Sequence, residues 1–140
     1  MRYDLDFLEA FCSEIGLPAL RPGGDVLDVN LGGGAILTFR NAEQDVDCLI
    51  GFSGTPWHAH GGLSFNDPRG HFIDVDVLGL LTGLKDGNVL ICERYLHGRL
   101  IDRHLIHSDV NDEFRDMLEG EQLVIRRAHV APLDRGAAQT

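Results

Sequence analysis

Two histidines separated by one residue, His58 and His60, lie in the stretch Gly54-Thr55-Pro56-Trp57-His58-Ala59-His60-Gly61-Gly62. In an extended segment, residues i and i+2 project to the same side. Both imidazoles could therefore reach one ion. His71 follows Pro68-Arg69-Gly70, flanked by Asp67 and Asp74. Two or three imidazoles with a carboxylate form a donor set that Zn2+, Fe2+ or Mn2+ accepts. An ion held there with an open position could activate water. The chemistry expected is that of a small metal-dependent hydrolase, with His58, His60 and His71 as ligands and Asp67 or Asp74 orienting them or acting as base. Its imidazoles would need acceptors on their far ring nitrogens, and the nearby carboxylates could serve. The stretch can also be read without an ion. In that case Trp57, the sole tryptophan, anchors the loop on the sheet, and the histidines bond the turn backbone or supply a metal-free acid–base group.

Other catalytic patterns are missing. There is no GxSxG, and Ser108 reads as a helix cap rather than a nucleophile. The runs Gly32-Gly33-Gly34 and Gly61-Gly62 lack the strand-to-helix setting of a dinucleotide loop, and no P-loop lysine accompanies them. Lys85 is the single lysine. Arg99, Arg103, Arg126 and Arg127 could stripe one surface, but interleaved acids argue against a nucleic-acid platform. Asp74 and Asp76 share a strand face, which fits an exposed edge or a helix cap better than a catalytic dyad. His97 reads as a turn residue. His104 and His107 fall on opposite faces of one strand.

Charge supports a different function. Acidic residues outnumber basic ones 22 to 12, giving −10 with neutral histidines. Such a surface repels nucleic acid and anionic membranes and steers basic proteins in. Protonating the seven histidines would take the formal charge from −10 to −3, so charge-driven behaviour should depend on pH near neutrality. The favoured expectation is a protein-binding module of inhibitor or immunity-protein type, engaging a basic protein partner. Its carboxylates would lie around 43–47 and 109–121, with Asp45, Asp47, Asp112 and Asp116 as contacts. Trp57, with Phe65 or Tyr95, would supply apolar anchors. Cys12, Cys48 and Cys92 form no CxxC, and each sits in an apolar segment. An odd count without a basic-then-apolar leader suggests a reducing, cytoplasmic setting, with the thiols as buried small hydrophobes.

The elements that must position these groups follow from periodicity. Residues 4–15 predict an amphipathic helix with Leu5, Leu8, Phe11, Cys12 and Ile15 on one face, Asp4 as N-cap and Gly16 beyond its end. Arg21-Pro22-Gly23-Gly24 reads as a turn. Strands are expected at 26–29 and 35–39 around the Gly32-Gly33-Gly34 hairpin turn, and at 46–50. Residues 51–70 read as one irregular loop. A strand at 71–75 and a helix at 77–84 capped by Asp76 follow. Residues 89–95 and 100–106 form a hairpin, for which a three-residue turn at 97–99 is preferred because it pairs Glu93 with Arg103 and Arg94 with Asp102. A third helix over 110–118 and a strand over 122–126 complete the order.

With 140 residues, 44% of them hydrophobic, the chain can bury a core unaided. Its apolar stretches are far short of the ~20 residues needed to cross a bilayer. The fold expected is α+β, a single domain over 1–131 with a flexible tail at 132–140. It would be built on a largely antiparallel mixed sheet of about six strands, with two to three helices on one face. Exposed sheet edges would allow a homodimer.

Overall fold

The structure, a computed structural model, describes residues 2–42, 47–111 and 117–128. The first helix, α1 (Leu5–Ile15), starts where the Asp4 carboxylate accepts the Phe7 N–H. It stops at Gly16, whose φ of 86° is one that glycine adopts without a Cβ clash. Leu5, Leu8 and Cys12 are buried, with Phe11 and Ile15 packed beside them, so the apolar stripe falls where the 3.6-residue period places it.

Strands β1 (Ala19–Gly23), β2 (Val26–Asn30), β3 (Ile36–Asn41), β4 (Cys48–Phe52) and β5 (His58–His60) form an antiparallel meander in chain order. Alternation sets its faces. Leu27, Val29, Leu37, Phe39, Cys48, Ile50 and Phe52 point inward and are buried. Each such leucine or phenylalanine contributes about 2 kcal/mol through burial. Of the stretch read as a turn at 21–24, residues 21–23 are the end of β1, and the turn lies at Gly24 and Asp25. Pro22 lacks a ladder N–H but is tolerated because β1 is an edge strand. Gly32, Gly33 and Gly34 all have positive φ between β2 and β3, as the hairpin expectation requires.

The irregular loop expected over 51–70 is nearly half strand. It holds the end of β4, β5 and a new strand, β6 (Leu63–Asn66), which forms a two-stranded sheet with β7 (Phe72–Val75). In β6, Leu63 and Phe65 are buried while Ser64 and Asn66 face out, a four-residue alternation too short to stand out between glycines and the Asp67-Pro68-Arg69-Gly70 turn. Helix α2 (Val77–Asp86) begins at Asp76, which accepts the Gly79 N–H at 2.7 Å, as the sequence indicated.

A third sheet has the order β10-β8-β9, with β8 (Val89–Leu96), β9 (Arg99–His107) and β10 (Glu121–Arg126). Glu93 does pair with Arg103 and Arg94 with Asp102. The turn, however, is the two-residue His97-Gly98 with φ of 51° and 83°. An irregularity between Arg94 and Tyr95 leaves Ile101 without a partner and restores the favourable register.

The fold is therefore α+β and antiparallel, but the single sheet of about six strands is replaced, among the described residues, by ten strands in three sheets. The described residues contain two helices. Residues 108–111 and 117–118 are not helical, and the centre of the expected third helix, like the tail at 132–140, lies outside the described residues. Helix α1 rests on β1, β2 and α2, and α2 rests on β7 and β8. Among the described residues, no helix is long and apolar enough to cross a membrane.

Candidate functional site

Strand β5 fixes both histidines of the HxH pair. His60 sits opposite Leu49, and His58 sits opposite Gly51. Both side chains are exposed, with ring centroids 5.4 Å apart and planes at 67°. His58 Nδ1 lies 3.2 Å from the Pro56 carbonyl, and His60 Nδ1 lies 2.6 Å from Asp47 Oδ2. Both oxygens only accept, so each Nδ1 carries the hydrogen, and in the neutral ring Nε2 presents the lone pair. The bond from His60 holds the Asp47 carboxyl below its usual range, helped by the Cys48 N–H. Asp47 is thus bonded to a histidine while its side chain stays 44% exposed.

His71 is arranged similarly. Its Nδ1 lies 3.0 Å from Asp67 Oδ2, and Asp67 Oδ1 accepts the N–H groups of Arg69 and His71. Burial pushes the Asp67 carboxyl up, but these bonds outweigh it and leave it lowered. The expectation that the histidines would find acceptors is met by two carboxylates and a carbonyl. Gathering is another matter. Among the described residues, no group of three or more His, Cys, Asp or Glu is placed to hold a metal ion. The structure brings His58 and His60 together and does not join His71 to them in such a group.

Trp57 is half-buried and packs against Phe52 and His104, with centroids at 5.9 and 6.4 Å. It anchors the loop on the core, as its metal-free reading holds. Phe65 is 7% exposed and belongs to the core, so it is unsuited to be a surface anchor. Asp45, Asp112 and Asp116 lie outside the described residues.

A feature that the sequence reading passed over is a cleft of about 950 Å3. The β6–β7 hairpin forms one wall and α2 the other, with His60 and His107 also on the lining. Comparison with protein-family models, curated proteins and solved structures gives no match. The cleft's chemistry must therefore be read from its own residues. It carries the carboxylates of Asp74, Asp76 and Asp86, and no Lys or Arg is among its described lining residues. Ser64 donates its hydroxyl to Asp74 across the hairpin. Asp76 is occupied as the α2 cap. His107 Nδ1 accepts the Asp109 N–H at 3.1 Å, which places its hydrogen on Nε2. Gly79 and Gly83, one helical turn apart, line the α2 side, and a Cβ at Gly83 would meet the Val89 side chain at 2.6 Å. Phe72 shares the outward face of β7 with Asp74 and is 65% exposed.

Of the four arginines that could stripe a surface, Arg99 and Arg127 are exposed and the other two are not. Arg103 and Arg126 turn in to Glu93, at 2.8 and 3.2 Å. They also donate to the carbonyls of Gly34 and Gly32. Burial pushes the Glu93 carboxyl up, yet the two guanidinium groups overcome this and hold it lowered. The described cysteines are buried and form no disulfide with one another, and burial pushes the Cys12 thiol up to about 11, which disfavours its reactive thiolate.

Proposed function

We propose that this chain is a protein-binding module of inhibitor or immunity-protein type, and that a basic segment of its partner enters the cleft between the β6–β7 hairpin and α2. The observation that carries this reading is the composition of the cleft: three carboxylates in about 950 Å3, with two histidines and no lysine or arginine among its described lining residues. A net charge of −10 adds long-range attraction, which sets the encounter rate more than the affinity. Phe72, exposed beside Asp74, supplies the aromatic contact that interfaces favour near their centre. The carboxylates expected to make the contact are therefore Asp74 and Asp86. The hydrolase alternative would need a third protein donor beside His58 and His60, and no observation on the described residues favours it.

The test uses a tetra-arginine peptide as the basic segment, with amide NMR shifts as readout. Shifts are expected at Ser64, Asp74, Thr82 and Asp86. Affinity should fall about tenfold or more between 20 and 200 mM salt, as it does for screened charges. The D74K/D86K double variant should lose these shifts. Unchanged binding in that variant, or shifts confined to other surfaces, would overturn the assignment.

A further inference from the structure

We infer that His58 and His60 form a two-imidazole chelate for a divalent transition-metal ion, with water completing the coordination shell. His60 also lines the cleft, but the inference does not rest on the docking reading. Its first support is spacing. Two imidazoles bound through Nε2 to one tetrahedral ion, at metal–nitrogen distances of ~2.1 Å, have ring centroids roughly 5 Å apart. The observed separation is 5.4 Å, which matches the ring spacing of such a chelate.

Orientation is the second support. A ligating imidazole is normally fixed by a hydrogen bond from its other nitrogen to a carboxylate or carbonyl. Both rings have that bond, His60 to Asp47 and His58 to the Pro56 carbonyl. The acceptors are themselves held in place. Asp47 also receives the Cys48 N–H at 2.9 Å, and Pro56 lies two residues before His58 on the turn that leads into β5. The free lone pairs are thus on the two Nε2 atoms, where a metal needs them.

Backbone and access complete the case. Pairing with β4 pins the main chain at both positions, so the ion need not order a mobile loop. Both side chains are exposed, which leaves the outer coordination positions to water. Imidazole donors without thiolate suit Cu2+ and Zn2+, and Cu2+ should bind more tightly. The site differs from the three-ligand site that the sequence suggested, because His71 has no part in it.

The experiment titrates the tag-free chain with Zn2+ alone and then Cu2+ alone, by calorimetry and by histidine 15N NMR. One ion per chain is expected, with the nitrogen shifts confined to Nε2 of His58 and His60. H58Q and H60Q should each weaken binding tenfold or more. D47N should weaken it roughly 10- to 100-fold, the usual effect of removing an orienting partner. H71Q should change nothing. Equal binding by the H58Q/H60Q double variant, loss of binding in H71Q, or Zn2+ affinity weaker than ~1 mM would overturn the inference. If a variant fails to fold, the wild-type nitrogen shifts decide: coordination at Nδ1, or at other histidines, also overturns it.

Discussion

Glu93 is 4% exposed and sits between the guanidinium groups of Arg103 and Arg126. Removing its charge would leave two cations facing each other in a nearly closed space. E93Q is expected to cost roughly 3 kcal/mol, the usual penalty for breaking a buried pair from one side, measured by urea unfolding at pH 7. The pH dependence follows from the same residue. Its carboxyl titrates lower in the folded chain than in the unfolded one. Its contribution is therefore fully present above the unfolded value of about 4.3 and is lost as pH falls through the lower folded value. The wild type should thus lose stability in acid more steeply than E93Q does. Parallel acid profiles would show that the network is not the acid-sensitive element. Sequence pairing located Glu93 opposite Arg103. It could not locate Arg126, which arrives from a strand more than thirty residues away and is fixed by the Gly32 carbonyl.

The hairpin of β8 and β9 shows how far local rules reach. Opposite-charge pairing selected the correct partners, but the turn was assigned one residue too long. A bulge delivers the same pairing as a three-residue turn, and a list of cross-strand charges cannot separate the two. The structure separates them through the left-handed conformations of His97 and Gly98. Deleting Ile101 should therefore leave a regular two-residue hairpin in which Glu93 still faces Arg103. Urea unfolding is expected to show a loss under ~1 kcal/mol, typical of a change away from buried groups. Collapse of the fold would mean that the extra twist of the bulge is itself required. Helices were the more legible elements, because Asp4 and Asp76 sit directly before apolar stripes of the right period. Short strands were the least legible. β5 has three residues and β6 four, and two or three alternations between glycines look like loop until a partner strand is known. The HxH pair was visible in the sequence. The cleft beside it was not, since its carboxylates come from a hairpin and a helix whose mutual placement no local pattern encodes.

Charge acts on the molecule as a whole. A formal −10 on 140 residues makes the folded chain repel itself, and salt screens that repulsion over about 10 Å at 0.1 M. The midpoint of thermal unfolding should therefore rise modestly from 10 to 200 mM NaCl at pH 8. A fall would mean that specific ion pairs, such as Arg21 with Asp6 and Arg94 with Glu121, outweigh the general repulsion. The division into three sheets also has a consequence in time. Every partnership in the five-stranded meander joins neighbours in sequence, so its loops close at small entropic cost. The contacts that tie it to the rest span far more chain: Tyr3 N–H to Asn41 across 38 residues and Arg126 to Gly32 across 94. Contacts between near neighbours form quickly, and distant ones wait for the chain to meet itself. The meander is thus the natural place for folding to begin, and the arginine reaching back from β10 to the glycine turn is the stitch that closes last.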